Sequence, residues 1–473
     1  MKLARPKQIL VKLQSGGRGA SESGTIGASD AMLVYEPSVR NLGDAQERTP
    51  ASQSLSSQTA LMGLETREVA FQSDFRGSGD TSVPGMTAPD WEKTMLASGF
   101  RAATVKKVPL TSISGGGFQI GEKVSKDASN WGVALNATSG ATADLNVAIV
   151  EGDITSTGTL TGASSGTTGT IGTVAAADCN AYRPWSGTLL TIATGAWTGG
   201  APSLAGGQTM GLVTRSGAVV GAIRAVADNS AGAMTNFDAE PVWGVIANGD
   251  VVSFAGATKT ATLSSTPTVK AGAVATIRAN RGGYAQDATD AQGTWSLEGR
   301  AGESMVFSWT FTGSKGSHAD LLPVSATGVD TATKAPRMLG AIVGIGFGNQ
   351  FYRMPIKSVT VTPNNQISQD LNANATSGSD GGEIIDRGVE IRLTVNAAGT
   401  SFDWQTLKSA SSPVRFGLQL GSSTGNIVGL CAPVAQITAL EESDSDGIAT
   451  YDITLRARGQ TINGEDEFYI WAR

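Results

Sequence analysis

Glu65-Thr66-Arg67-Glu68-Val69-Ala70-Phe71-Gln72-Ser73-Asp74-Phe75 alternates strictly, with Val69, Phe71 and Phe75 on one face and Glu68, Gln72 and Asp74 on the other. That period of two marks a half-buried strand. Gly77-Ser78-Gly79-Asp80 ends it, and Thr87-Ala88-Pro89-Asp90-Trp91-Glu92-Lys93-Thr94-Met95-Leu96-Ala97-Ser98-Gly99 follows. Thr87 or Ala88 is the expected cap, Pro89 suits the first turn, and Asp90 and Glu92 suit the positive helix end. With Gly99 as the stop, a helix of two to three turns is predicted.

The pattern recurs towards the C-terminus. Val389, Ile391, Leu393 and Val395 alternate with polar residues, and Ser401-Phe402-Asp403-Trp404 opens a second short helix. Alternating strands follow each helix, through Met305, Phe307, Trp309 and Phe311 in one case and Tyr451, Ile453 and Leu455 in the other. We read an internal duplication of a β-rich unit carrying one helix.

Residues between about Phe118 and Pro267 differ in character. They are rich in Gly, Ser, Thr and Ala, and repeat small-residue turns that enter short strands, as at Ser165-Gly166 and Ser216-Gly217. So long and apolar a stretch predicts a single all-β insertion rather than a loop. The expected organisation is 1–117 as the first part of unit one, 118–268 as the inserted β-rich decoration, 269–333 as the rest of unit one, and 334–473 as unit two. The predicted class is mainly β, built of sandwich or barrel units.

The 473-residue chain holds 61 glycines, its charged fraction is 16%, and its net charge is −6. A 40% hydrophobic content excludes wholesale disorder, and no Gly-X-Y period accompanies the glycine. The start is basic (Lys2, Arg5, Lys7, Lys12, Arg18) but lacks the apolar run of a secretory signal, and no stretch is long enough to span a membrane. Cys179 and Cys431 give no zinc or CxxC spacing and read as buried thiols in a reducing cytoplasm. The single histidine, His318, excludes multi-His metal sites and reads as a solvated residue of a polar turn.

Apparent motifs fail on chemistry. Gly116-Gly117-Phe118-Gln119-Ile120-Gly121-Glu122 carries Walker-like glycines, but Glu122 stands where the phosphate lysine belongs. Gly344-Ile345-Gly346-Phe347-Gly348 lacks dinucleotide spacing. Glu442-Ser443-Asp444-Ser445-Asp446-Gly447 lacks a calcium loop's closing acid and reads as a hairpin turn. Ser377-Gly378-Ser379-Asp380-Gly381-Gly382-Glu383 reads as a flexible loop. No catalytic, metal or cofactor site is expected.

Several stretches resemble tail tube proteins of long, non-contractile-tailed bacteriophages. They are Lys7-Gln8-Ile9-Leu10-Val11-Lys12-Leu13 with Ala28-Ser29-Asp30-Ala31-Met32, Arg48, Phe75-Arg76-Gly77-Ser78-Gly79, Ala88-Pro89-Asp90-Trp91, and Gly293-Thr294-Trp295. Phe402-Asp403-Trp404, Ala432-Pro433 and Asp446-Gly447-Ile448-Ala449-Thr450-Tyr451 extend the resemblance, which covers roughly 7–115 and 270–473. It implies a virion protein, made in the host bacterial cytoplasm, whose rings stack into a hollow tube around the tape-measure protein. Tail-terminator or tail-tip proteins would meet the ends, and genomic DNA would pass without specific binding. Two units per chain imply a trimeric ring with pseudo-sixfold symmetry, and one unit per chain a hexamer. Lumen carboxylates would repel DNA phosphates, and Glu68, Asp74, Glu390 and Asp452 are the candidates. The competing expectation is a surface adhesin whose insertion stacks sugar on Trp185 or Trp197.

Overall fold

The computed structural model describes residues 7–14, 19, 21–46, 61–82, 86–185, 189–199, 210–225, 236–244, 246–254, 259–265, 267–271, 273–327, 332–373, 378–397, 403–445, 447–461 and 465–473. Lys2, Arg5, Arg18, Arg48, Ser377, Ser401, Phe402 and Asp446 lie outside them. The protein is mainly β, with two short α-helices among the described residues.

Two four-stranded antiparallel ribbons form the centre. The first comprises β1 (Tyr35–Gln46), β2 (Leu61–Asp74), β3 (Tyr284–Arg300) and β4 (Val306–Ala319), in the spatial order β1-β2-β4-β3. The second comprises β5 (Ile356–Thr362), β8 (Glu390–Asn396), β9 (Val428–Ser445) and β10 (Ile448–Ala457), in the order β5-β8-β10-β9. Two further strands, β6 (Gln366–Leu371) and β7 (Ser379–Asp386), make a separate hairpin arm between β5 and β8. The ribbons join edge to edge where β3 pairs antiparallel with β5, Leu297 opposite Val361 and Arg300 opposite Ser358.

Each ribbon feeds a second layer in the same way. The N-terminal half of β3, still paired with β4 on one side, pairs on the other with Ala275–Arg281, which pairs in turn with Lys7–Leu13. The N-terminal half of β9 likewise pairs with Val414–Leu420, which pairs with Ile342–Phe347. The duplication thus extends through both layers. The two copies share one core, running from Phe71, Trp295 and Trp309 to Val361, Leu393 and Ile453.

The helices occupy matching places, after β2 and after β8. Helix α1 (Glu92–Leu96) is shorter than its sequence suggests, and its N-cap is Trp91, with no side-chain cap. Asp90 is diverted from the helix end by the buried Arg76 guanidinium, 2.5 Å away. Trp91 anchors the turn by donating its indole N–H to the Arg76 carbonyl at 2.9 Å. Helix α2 (Trp404–Ser409) starts at the Asp403-Trp404 pair, as expected from the sequence, and Asp403 caps it, its Oδ1 accepting from Thr406 N at 3.0 Å.

In the second copy α2 runs almost directly into Val414–Leu420. In the first, the stretch between α1 and Ala275 holds two seven-stranded sheets rather than the single insertion expected at 118–268. One sheet spans Val105 to Ala176 and the other Leu189 to Ala271, each with its own core. Between them Asn180–Pro184 returns to the main sheet, pairing with Phe100–Ala102 and with Tyr469–Ala472. So short a strand, held on both sides by distant partners, carries no periodicity to betray it. The first module packs on the second layer of copy two through Ile120, Val133 and Leu135 against Cys431, Tyr469 and Trp471.

Candidate assembly surface

Alternation fixes the character of each ribbon face. On one face Leu297, Val361, Ile391 and Leu455 are buried in the core. The opposite face is polar, and it crosses the β3–β5 seam without a break. One row runs Asp74, Val306, Glu298, Thr360, Arg392, Thr454 through six successive strands by direct pairing. Core and second layer cover the first face, so the polar one is left to solvent.

All four acids singled out from sequence sit on that polar face. Glu68 lies 3.8 Å from the Arg40 guanidinium across β1–β2. Asp74 accepts a 2.9 Å hydrogen bond from the Tyr35 hydroxyl, whose pKa is raised first by partial burial and then by this carboxylate. Glu390 accepts from Arg392 Nε at 2.6 Å, and Asp452 from Thr394 Oγ1 at 2.7 Å and Ser443 Oγ at 2.8 Å. Arg392 and Arg456 share the face, as their alternation requires. Arg76 does not, being buried against Asp90. The surface is therefore a hydroxyl-rich sheet of mixed charge, its acids mostly occupied by neighbours on the same strands.

The two outer strands are the other distinctive feature. Among the described residues β1 pairs only with β2, and residues 436–445 of β9 pair only with β10. Val359 and Val361 of β5 are fully buried beneath the seam, whereas most of β1 from Tyr35 to Gly43 is exposed. Glu441, Glu442, Ser443 and Asp444 of β9 are exposed too. Unpaired strand edges carry rows of free N–H and C=O groups that accept another strand.

The seam within the chain is closed by the β6–β7 arm, the stretch expected to contain a flexible loop. Gln292 Oε1 accepts from Ile384 N at 2.9 Å, and Ser314 Oγ donates to the Ser379 carbonyl at 3.3 Å. The glycines serve close approach rather than flexibility: a Cβ on Gly381 would stand 2.6 Å from Asp290, and one on Gly382 3.2 Å from the Thr312 carbonyl. Sequence patterning missed this arm because its strands are short and its contacts are far away in the chain.

The remaining candidates resolve as structure. Glu122 is fully buried, accepting from the backbone N–H groups of Gln119, Ser164 and Ser165, so the glycine-rich loop encloses the protein's own carboxylate. His318 lies exposed in β4, opposite Gln286, and not in a turn. Cys179 and Cys431 are free and buried, and burial pushes both thiols well above their ordinary pKa. The hairpin reading of 442–447 agrees with Ser445 opposite Ile448, and Gly447 N donates to Asp444 Oδ1 at 2.8 Å. Trp185 is 5% exposed with the Arg101 guanidinium over its ring, and Trp197 packs on Phe237 and Phe254, so both rings are engaged by the protein itself.

Among the described residues no cluster of His, Cys, Asp and Glu is placed to hold a metal ion, and no helix is long and apolar enough to cross a membrane. No protein-family model matches this chain, and no curated protein matches it.

Proposed function

We propose that this chain is a structural virion protein, the tail tube subunit of a long-tailed phage, whose rings stack into the hollow conduit for DNA. The observation that carries the reading is the tandem ribbon: two equivalent four-stranded sheets joined edge to edge, with one continuous polar face and, among the described residues, an end strand on either side that is paired along one edge only. A unit that repeats edge to edge within a chain, and leaves the same edges open outside it, suits closure into a ring of copies.

Three chains would bring six ribbons to the ring, a trimer with pseudo-sixfold symmetry; this is favoured over a hexamer because both ribbons belong to one chain. The polar face lines the lumen in this reading, placing Glu68, Asp74, Glu390 and Asp452 towards passing DNA. Carboxylates and hydroxyls there disfavour the phosphate contacts that would arrest it. The first module rests on the second layer, away from the polar face, which favours decoration of the tube's outside. The tape-measure protein would fill the lumen before ejection, with terminator or tip proteins capping the stack.

Electron microscopy of the purified protein, at rising concentration, tests the reading. Hollow rings or tubes with threefold symmetry and six similar wall segments are expected. Dispersed monomers under all conditions, or rings with true sixfold symmetry and one ribbon per chain, would overturn it.

A further inference from the structure

Within the chain the β3–β5 seam does not rest on strand pairing alone: the β6–β7 arm, which links β5 to β8, folds back across the neighbouring β3–β4 hairpin. Its counterpart in the first ribbon is the far end of the β1–β2 hairpin, residues 41–46 and 61–67, which links β1 to β2. We propose that this hairpin end clasps the β9–β10 hairpin of a second copy, as the arm clasps β3–β4 within the chain. The inference rests on the ring reading above and names the contact that would lock each seam between chains.

Exposure and register support the correspondence. Beneath the arm Thr289, Gln292 and Ser314 are buried, at 9%, 5% and 4% exposure. At the matching place on β9 and β10, Thr438 and Arg456 are exposed and Gln436 and Ala439 only partly covered. Both receiving hairpins carry a register shift at this level, between Thr289 and Gln292 in β3 and between Ile437 and Ala439 in β9. Such bulges bend a strand and re-aim its neighbours. One bulge is covered and the other is bare. The hairpin end itself exposes Leu42 at 46%, beside exposed Asn41 and Gly43. A second copy is the occupant because continuity with the internal seam demands it: extending the β3–β5 joint by one more ribbon places β1 beside the free half of β9.

A single chain cannot make this contact with itself. The β1 and β9 strands stand at opposite ends of eight paired strands, roughly 33 Å apart at the usual strand spacing. Cross-linking therefore reports on neighbours. The double variant Leu42→Cys/Thr438→Cys, treated with a short bis-maleimide, tests the clasp, since Cys179 and Cys431 are buried. The expected product is a covalently closed trimer. Rings that yield no more cross-linking than the control pair Leu42→Cys/Thr161→Cys would overturn the clasp and leave the ring reading standing. Covalent products growing beyond three chains would join one ring to the next and overturn it as well. Absence of rings from the unsubstituted protein would sink both. A second variant, Leu42→Asp, is expected to lower ring yield at least tenfold with unchanged circular dichroism and melting temperature; unchanged yield would overturn the clasp.

Discussion

The two copies solve one folding problem with different materials. Copy one fills its core with rings: Phe307 stands within contact of Phe75, Trp91, Trp295 and Trp309, the last at 4.7 Å between centroids. Copy two fills its part of the core mainly with aliphatic side chains, Ile391, Leu393 and Val395 from β8 and Ile453 and Leu455 from β10, with Trp404 at the start of α2. Their edges differ just as sharply. The C-terminal half of β3 meets β5 and buries Trp295 and Leu297, leaving only Glu298 and Arg300 exposed, while that half of β9 carries four successive residues, Glu441, Glu442, Ser443 and Asp444, into solvent. Charge on an open edge discourages indiscriminate strand addition. The comparison teaches that a repeated backbone plan leaves each strand's chemistry to be set by what covers it.

The core is the place to break this comparison with the largest effect. Trp309→Ala is expected to cost about 3–5 kcal/mol, the scale of aromatic truncation in a packed core. Its indole N–H also donates to Ser73 Oγ at 2.8 Å, which would be left without that donor. Because the copies share a core, urea unfolding should shift as one transition of the two-ribbon body; separate loss of copy one would contradict the shared core. Paired edge substitutions come next. Val361→Lys would bury an uncompensated charge in the seam, at a cost of at least about 3 kcal/mol. Val39→Lys, on the open edge and only partly buried against the core, should cost clearly less than Val361→Lys yet suppress rings in micrographs. Equal destabilisation by the two would mean that β1 is already covered.

Neutralising the acidic edge sharpens the point further. Glu441→Gln/Glu442→Gln is expected to hasten light scattering at low salt several-fold, with little change in thermal stability. Added salt should narrow the gap between variant and parent.

The smallest effects distinguish the two helices, and they have opposite signs. Burial raises the Glu92 pKa despite the Tyr182 hydroxyl donating to it at 2.9 Å. A carboxyl with a raised folded pKa holds its proton longer in the native state, so its contribution falls as pH rises from its unfolded to its folded pKa. Asp403 is depressed by its hydrogen bonds from Thr406, so its contribution is present above the unfolded value and is lost as pH falls through the folded one. Glu92→Gln should flatten the fall in stability with rising pH, and Asp403→Asn the fall with acid. Chemical denaturation between pH 3 and 7 reads both slopes; slopes of the same sign would remove the distinction.

Much of this architecture was legible in the sequence where local pattern suffices. Alternation located β2, β4, β8 and β10, and Asp403 with Trp404 located α2. The Asp446-Gly447 turn located the β9–β10 hairpin. What escaped is long-range. Asp90 looked like a helix-end acid because Arg76, its partner, is positioned by the tertiary fold. The arm looked like a flexible loop because glycine has the same spelling whether it loosens a chain or lets two backbones meet. The four acids were found by alternation alone, but that they share one sheet face depends on the β3–β5 pairing, which no local pattern encodes.

That pairing has a further consequence for how such chains would find one another. Because β3 and β5 belong to one polypeptide, their encounter is set by the reach of the intervening chain and not by protein concentration. In a ring of three such chains, every second joint would form by folding, leaving half as many collisions to synchronise. Tethering the copies would also forbid rings with an odd number of ribbons, so the bore of any such ring would come only in steps of two.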